Sequence, residues 1–128
     1  GFGDPFCRRP YPWGREAVSL RAHYAELGRL KRNLAVLHTP HIAFVVHNGA
    51  KLGFVRYSDR ASDGALLVLC NAAKKETVFD ESFIKNGIYK PLYGVSETLS
   101  DGSIVLAAES AVLLFADVFT PSDDAILL

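Results

Sequence analysis

The chain has no methionine, one tryptophan and two cysteines in 128 residues. Each scarcity removes a class of protein. Two cysteines are too few for the disulfide framework of a small secreted domain, so a reducing compartment, the cytoplasm, is the expected location. Lys plus Arg and Asp plus Glu both number 14. A chain with neither net charge nor a basic block lacks the phosphate-neutralising surface that nucleic-acid binding needs. No apolar run reaches the length of a membrane-spanning helix. No basic segment followed by an apolar stretch opens the chain, so no signal peptide is expected. A full-length chain starts with methionine before processing, and the expectation here is a fragment of something longer.

Apolar residues make up 49%, enough for a globular unit with a real core. The most informative stretch is residues 4–13, DPFCRRPYPW. Pro5, Pro10 and Pro12 fix φ and remove donors, which excludes both regular helix and central strand. The run is therefore a loop carrying a carboxylate and a guanidinium four residues apart. Loops on rigid scaffolds are where binding chemistry concentrates.

A helix is expected from Arg15 to about Asn33, with Glu16 in its first turn and Lys31 and Arg32 in its last, where cations suit the dipole. Leu20, Tyr24, Leu27, Leu30 and Leu34 recur at helical spacing and form one apolar stripe. Gly28 costs about 1 kcal/mol relative to Ala mid-helix and is read as a mark of close packing. After Pro40 the period becomes that of strands, near 41–47, 52–58, 65–71, 75–79, 88–93, 103–108 and 111–116. Asn48-Gly49 reads as a hairpin, and Asp63-Gly64 and Asp101-Gly102 as turns. Residues 66–70 are apolar at nearly every position, like a central strand covered on both sides, and Cys70 within that run is a small buried residue. The fold class is mainly β: an antiparallel sandwich preceded by a loop and one amphipathic helix. Residues 120–128 either pack back as a further element or fray.

The loop, the helix after it and the β-rich remainder resemble a known arrangement. Asp4, Pro5, Arg8, Arg9, Pro10, Pro12 and Trp13 are similar to the loop after the eighth barrel strand in the neopullulanase, cyclomaltodextrinase and maltogenic-amylase branch of glycoside hydrolase family 13, the α-amylase superfamily. Position 7, often Asn there, is Cys7 here. The helix and β-rich remainder match that family in order. The resemblance implies residues 1–38 as the final loop and last helix of a truncated (β/α)₈ barrel, 39–118 as a C-terminal β-sandwich, and 119–128 as a tail. It implies that Asp4 and Arg8 bind a glucose unit next to the cleavage point of an α-glucan or maltooligosaccharide. It also implies that the catalytic carboxylates lie upstream, so that this chain by itself is inactive. The physics suits the sugar-binding role, since a carboxylate accepts from vicinal hydroxyls and a guanidinium donates a rigid fork. The other reading stands beside it: Asp4 and Arg8 pin the loop to itself. Arg9 is expected to form a structural salt bridge, and Trp13 to pack at the start of the helix.

Other chemistry finds little support. His38 and His41 have metal-like spacing, and parity puts His41 and His47 on one strand face. Zinc, however, needs three or four ligands, and no Cys pair or His-Glu signature accompanies them. No metal or cofactor is expected. Ser19, Ser58, Ser62 and Ser110 lack the context of an activated nucleophile. Asp59, Asp63, Asp80 and Glu81 read as solvated turn residues. The alternatives to the family reading are a free-standing carbohydrate-binding sandwich, for which Tyr57, Tyr89 and Tyr93 are the candidate aromatics, and a structural module with no ligand. A helix stripe without its barrel implies a homodimer of the fragment.

Overall fold

The computed structural model describes residues 3–4, 10–118 and the backbone of 126–127. The chain divides into two compact units, 1–33 and 34–128.

In the first unit, α1 spans Val18–Asn33, three residues later than the sequence implies. The reason lies in the turn ahead of it. Trp13 N–H donates to Tyr11 C=O and Arg15 N–H to Pro12 C=O, both at 2.9 Å, and Gly14 takes φ +74°. That turn uses the donors at its own carbonyls, and the first α-type bond of the helix is Arg21 N–H to Ala17 C=O at 2.9 Å. Glu16 therefore precedes the helix, whose first turn holds no acid, while Lys31 and Arg32 do occupy the last turn. Glu26 and Arg29 form a two-pronged pair one turn apart, Nε to Oε2 at 2.9 Å and Nη2 to Oε1 at 2.5 Å. This hydrogen bonding holds the Glu26 carboxyl below its ordinary pKa. The apolar stripe is graded. Leu30 is buried and Leu27 half-buried, but Leu20 is 54% and Tyr24 66% exposed. Gly28 is not a close-packing point: a Cβ there meets only Arg32 Nη1, at 3.6 Å.

In the second unit a 3₁₀ turn, Ala35–His38, packs on the strands after it. These are β1 (Ile42–Asn48), β2 (Lys51–Tyr57), β3 (Ala65–Asn71), β4 (Thr77–Phe79), a single helical turn α2 (Ser82–Lys85), β5 (Lys90–Tyr93), β6 (Glu97–Thr98), β7 (Ile104–Leu106), β8 (Ser110–Ala116) and β9 (Ile126–Leu127). All pairings are antiparallel. One sheet runs β5-β8-β3-β2-β1-β9 and the other β4-β7-β6. The seven expected strands are present with shifted ends. The pattern misses β6 and β9, each only two residues long, and in the tail Ile126 and Leu127 pair with Phe44 and Ala43.

Local chemistry sets the details. The β1–β2 hairpin turns on Gly49-Ala50, since Asn48 and Lys51 are a paired rung. Gly49 at φ +57° meets the demand for a left-handed first turn position. The register slips between Phe44 and Val46, making Val45 a bulge. Ala43 and Val46 thus both reach the core. The bulge also breaks the parity between His41 and His47, which fall on opposite faces of the sheet. Pro91 sits on the edge strand β5, where a missing donor is tolerated. The core lies between the two sheets, built from Val55, Leu67, Leu69, Val112 and Leu114 on one side and Phe79, Ile104 and Leu106 on the other, with Ile84 of α2.

Among the described residues two buried side chains are polar, Asn71 and Ser103. Asn71, 2% exposed at the end of β3, has its whole amide engaged. Its Nδ2 donates to Lys75 C=O at 2.9 Å, Ala107 C=O at 2.8 Å and, more weakly, Leu106 C=O at 3.3 Å. Its Oδ1 accepts from Ala73 N–H at 2.9 Å and Thr77 Oγ1 at 3.1 Å. Asn71→Leu, similar in size but without donors or acceptor, leaves those buried groups unpaired and is expected to cost about 2–4 kcal/mol. Urea unfolding monitored by far-UV circular dichroism measures it, and a loss under about 0.5 kcal/mol contradicts the network's role.

Candidate functional site

The expected sugar-binding pair is only half visible. Asp4 is exposed in a turn. Arg8 lies outside the described residues, as do Pro5, Cys7 and Arg9. What the structure adds is an aromatic pair further along the loop. Tyr11 and Trp13 stack edge to face with ring centroids 4.6 Å apart and planes at 62°. Trp13 is 82% exposed, so it does not pack at the helix start as the sequence implies. Tyr11, Pro12, Leu20 and Tyr24 line an apolar concavity of about 500 Å³, with Glu16 and Arg21 also in its wall. Aromatic faces with a carboxylate and a guanidinium at hand are the materials of a sugar site. They are equally the materials of a packing surface.

Several carboxylates of the second unit are engaged by neighbouring side chains. Asp80 and Glu81 both turn to Lys51 Nζ, at 3.6 and 2.6 Å, and that ammonium lies 5.1 Å above the Phe79 ring. Asp63 accepts from Ser58 Oγ at 2.8 Å. Asp59 Oδ2 lies 3.3 Å from His41 Nε2, and the imidazole stacks on Tyr57 at 5.2 Å. Asp117 pairs with Lys90. None of these forms the pair of carboxyl groups across a cleft that retaining glycoside hydrolysis requires. Among the described residues, no three of His, Cys, Asp or Glu come together as a metal site would need.

The tyrosines do not make a binding platform. Tyr57 and Tyr89 pack against the core. Tyr89 Oη donates to Phe83 C=O at 3.2 Å, and burial pushes its phenol up to about 12. A second cavity of about 260 Å³ is walled by Val55, Leu67, Phe83, Ile88 and Tyr89 and presents few polar groups, which gives it little to orient a ligand. Cys70 is half-buried, not fully buried, and burial raises its thiol pKa.

The likenesses of the chain to known proteins fit this division. No family model matches it. It is 28% identical over 122 residues to an amylopullulanase of Thermoanaerobacter thermohydrosulfuricus, covering 86% of this chain and 8% of that protein. An amylopullulanase of Thermoanaerobacterium thermosulfurigenes is also 28% identical, over 91% of this chain and 7% of its own length. Among solved structures, the debranching enzyme of Nostoc punctiforme, soaked with acarbose, superposes with a TM-score of 0.67 at 20% identity, over 84% of this chain and 22% of that one. The chain is thus similar to part of each of these amylopullulanases, and shares its fold with part of the solved debranching enzyme. A trehalose-6-phosphate hydrolase of Bacillus licheniformis shares the fold at TM-score 0.55 and 20% identity, covering 73% of this chain and 18% of that one. The chain therefore spans under a tenth of the curated relatives it matches, and its mainly antiparallel β architecture is shared with part of the two solved enzymes.

Asp101 is held by its own turn and by a lysine. It accepts from Ser103 N–H at 3.0 Å and Ser103 Oγ at 2.9 Å, and pairs with Lys85 Nζ at 3.0 Å. The Ser103 backbone bond, then Lys85 and the Ser103 hydroxyl, lower its pKa from 3.8 to about 2. A depressed carboxyl stabilises the fold fully above its unfolded pKa, and that contribution is lost as pH falls through the folded value. The stability difference between the wild type and Asp101→Asn is therefore expected to be largest at neutral pH and to shrink between about pH 4 and pH 2. Urea midpoints at about pH 6 and about pH 2.5 test it; a gap that stays constant or widens in acid contradicts the assignment.

Proposed function

We propose that this chain is the C-terminal portion of an α-glucan-cleaving glycoside hydrolase, in which the β-unit stabilises the catalytic barrel and the N-terminal loop contributes to sugar binding. The observation that carries the reading is the 28% identity across 86% of this chain to an amylopullulanase of which it spans 8%. The order of loop, amphipathic helix and antiparallel strands supports it. Asp4 and Arg8 are assigned to a glucose unit adjoining the scissile bond. The bonds to be cut are α-glucosidic, in maltodextrins or related glucans, and the compartment is the cytoplasm.

The 128-residue chain is expected to release no product from a chromogenic maltoside. In the complete enzyme, Asp4→Ala and Arg8→Ala are expected to lower kcat/KM for maltodextrins about 10- to 100-fold while changing a single-glucose aryl substrate much less. Equal losses on both substrates would reassign the pair to holding the loop.

The exposed half of the α1 stripe gives the chain, apart from its barrel, a reason to self-associate. Burying a side chain of the size of Leu20 contributes about 1.5–3 kcal/mol. Light scattering is expected to show a dimer of the 128-residue chain that Leu20→Glu converts to monomer. A monomeric wild type at high concentration removes this surface as a self-association site.

A further inference from the structure

Two Asn-Gly pairs occur in the chain, Asn48-Gly49 and Asn86-Gly87. Glycine after asparagine leaves the next peptide nitrogen unshielded, because there is no side chain to keep the asparagine amide away from it. Local sequence therefore treats the two pairs alike. The structure separates them.

Asn48 and Gly49 are exposed at the tip of the β1–β2 hairpin. Gly49 takes φ +57°, and nothing lies within 4 Å of the place a Cβ on it would occupy. Among the described residues no acceptor takes the Gly49 N–H. Its nitrogen is unengaged and stands beside open space. Asn86 and Gly87 are the opposite case, although they too lie at the surface. Asn86 ends α2 with helical dihedrals, φ −89° and ψ −5°. Its N–H donates to Ser82 C=O and the Gly87 N–H to Ile84 C=O, both at 3.1 Å. The Tyr89 ring crowds Gly87, so that a Cβ there would come within 2.2 Å of it, and Tyr89 Oη is itself tied to Phe83 C=O at 3.2 Å.

We propose that Asn48 is a site of spontaneous covalent modification, deamidation through a cyclic imide, from which the fold protects Asn86. The Gly49 nitrogen attacks Cγ of Asn48. An N–Cγ bond forms, the Cγ–Nδ2 bond breaks, and the peptide proton leaves with Nδ2 as ammonia. Solvent water then opens the imide. Cleavage of the N–Cγ bond leaves an aspartate. Cleavage of the bond from that nitrogen to the main-chain carbonyl leaves an isoaspartate, whose backbone runs through the side chain and is one methylene longer. The reaction needs only this chain and water, so it stands apart from the function proposed above.

A two-residue turn has no slack for the added methylene. The rung it disturbs is Asn48 with Lys51. Lys51 Nζ binds Glu81 Oε1 at 2.6 Å and lies 5.1 Å above the Phe79 ring. The isoaspartate form therefore loosens the contact of the hairpin with the segment that follows β4.

The test incubates the 128-residue chain in mildly alkaline buffer, folded and in guanidinium chloride, and follows each asparagine by fragment-ion mass spectrometry. In the folded chain Asn48 should convert about tenfold faster than Asn86, or more. In guanidinium the two rates should converge, since sequence alone then decides. Asn48→Gln, whose longer side chain has to close a larger ring, should abolish the fast conversion. Equal rates in the folded chain, faster loss at Asn86, or an Asn48 that reacts only when unfolded overturns the site. The isoaspartate form, isolated by chromatography, should unfold at a lower urea concentration than Asn48→Asp, which carries the same charge without the methylene. Equal midpoints overturn the consequence for the hairpin.

Discussion

The β-unit is organised around the buried amide of Asn71. It ends the strand nearest the middle of the large sheet, and its donors and acceptor fasten the start of the β4 segment and the end of β7. Much of the contact between the two sheets is apolar, which is non-directional and tolerates sliding. A fully bonded amide in that interior does not tolerate it, because any displacement strands several polar groups away from water. The register of the core is thereby fixed. Phe79, Ile104 and Leu106 are held opposite Leu67, Leu69 and Val112, and the outer face of the large sheet is fixed with them.

That outer face and the N-terminal unit raise the same physical question. Each presents apolar surface in quantity that a small self-sufficient domain would have buried. The exposed Trp13, Leu20 and Tyr24 belong to the residues before 34, and the half-buried row of Phe54, Val68 and Leu113, on neighbouring strands of the large sheet, to those after. In the amylopullulanases it resembles, the matching portion is less than a tenth of the length. Glu81, Asp101, Asp59 and Asp63 of the β-unit are engaged by lysines, a histidine and serines.

Several elements were legible from residues alone because local physics decides them. The helical spacing of Leu20 to Leu34, the switch to strand period after Pro40 and the apolar run of β3 are properties of the chain and its solvent. So is the loop nature of residues 4–13, where three prolines forbid the alternatives. Boundaries were less legible. The start of α1 depended on how the Tyr11–Gly14 turn used its hydrogen bonds. The strands β6 and β9 are too short to show a period and exist only through their partners.

The sequence by itself determined the fold class and the main elements, and the Asp4 to Trp13 motif supplied a family resemblance, because these rest on local sterics, solvent and a contiguous motif. Only the tertiary structure decided that His41 and His47 part company across a bulge, that Trp13 is exposed, and that Tyr57 and Tyr89 pack on the core. It alone revealed that the second face of the large sheet is apolar. Each of these depends on which segment lies beside which. Register is a relation between distant segments, and one extra residue at Val45 reverses the side on which everything after it in β1 points.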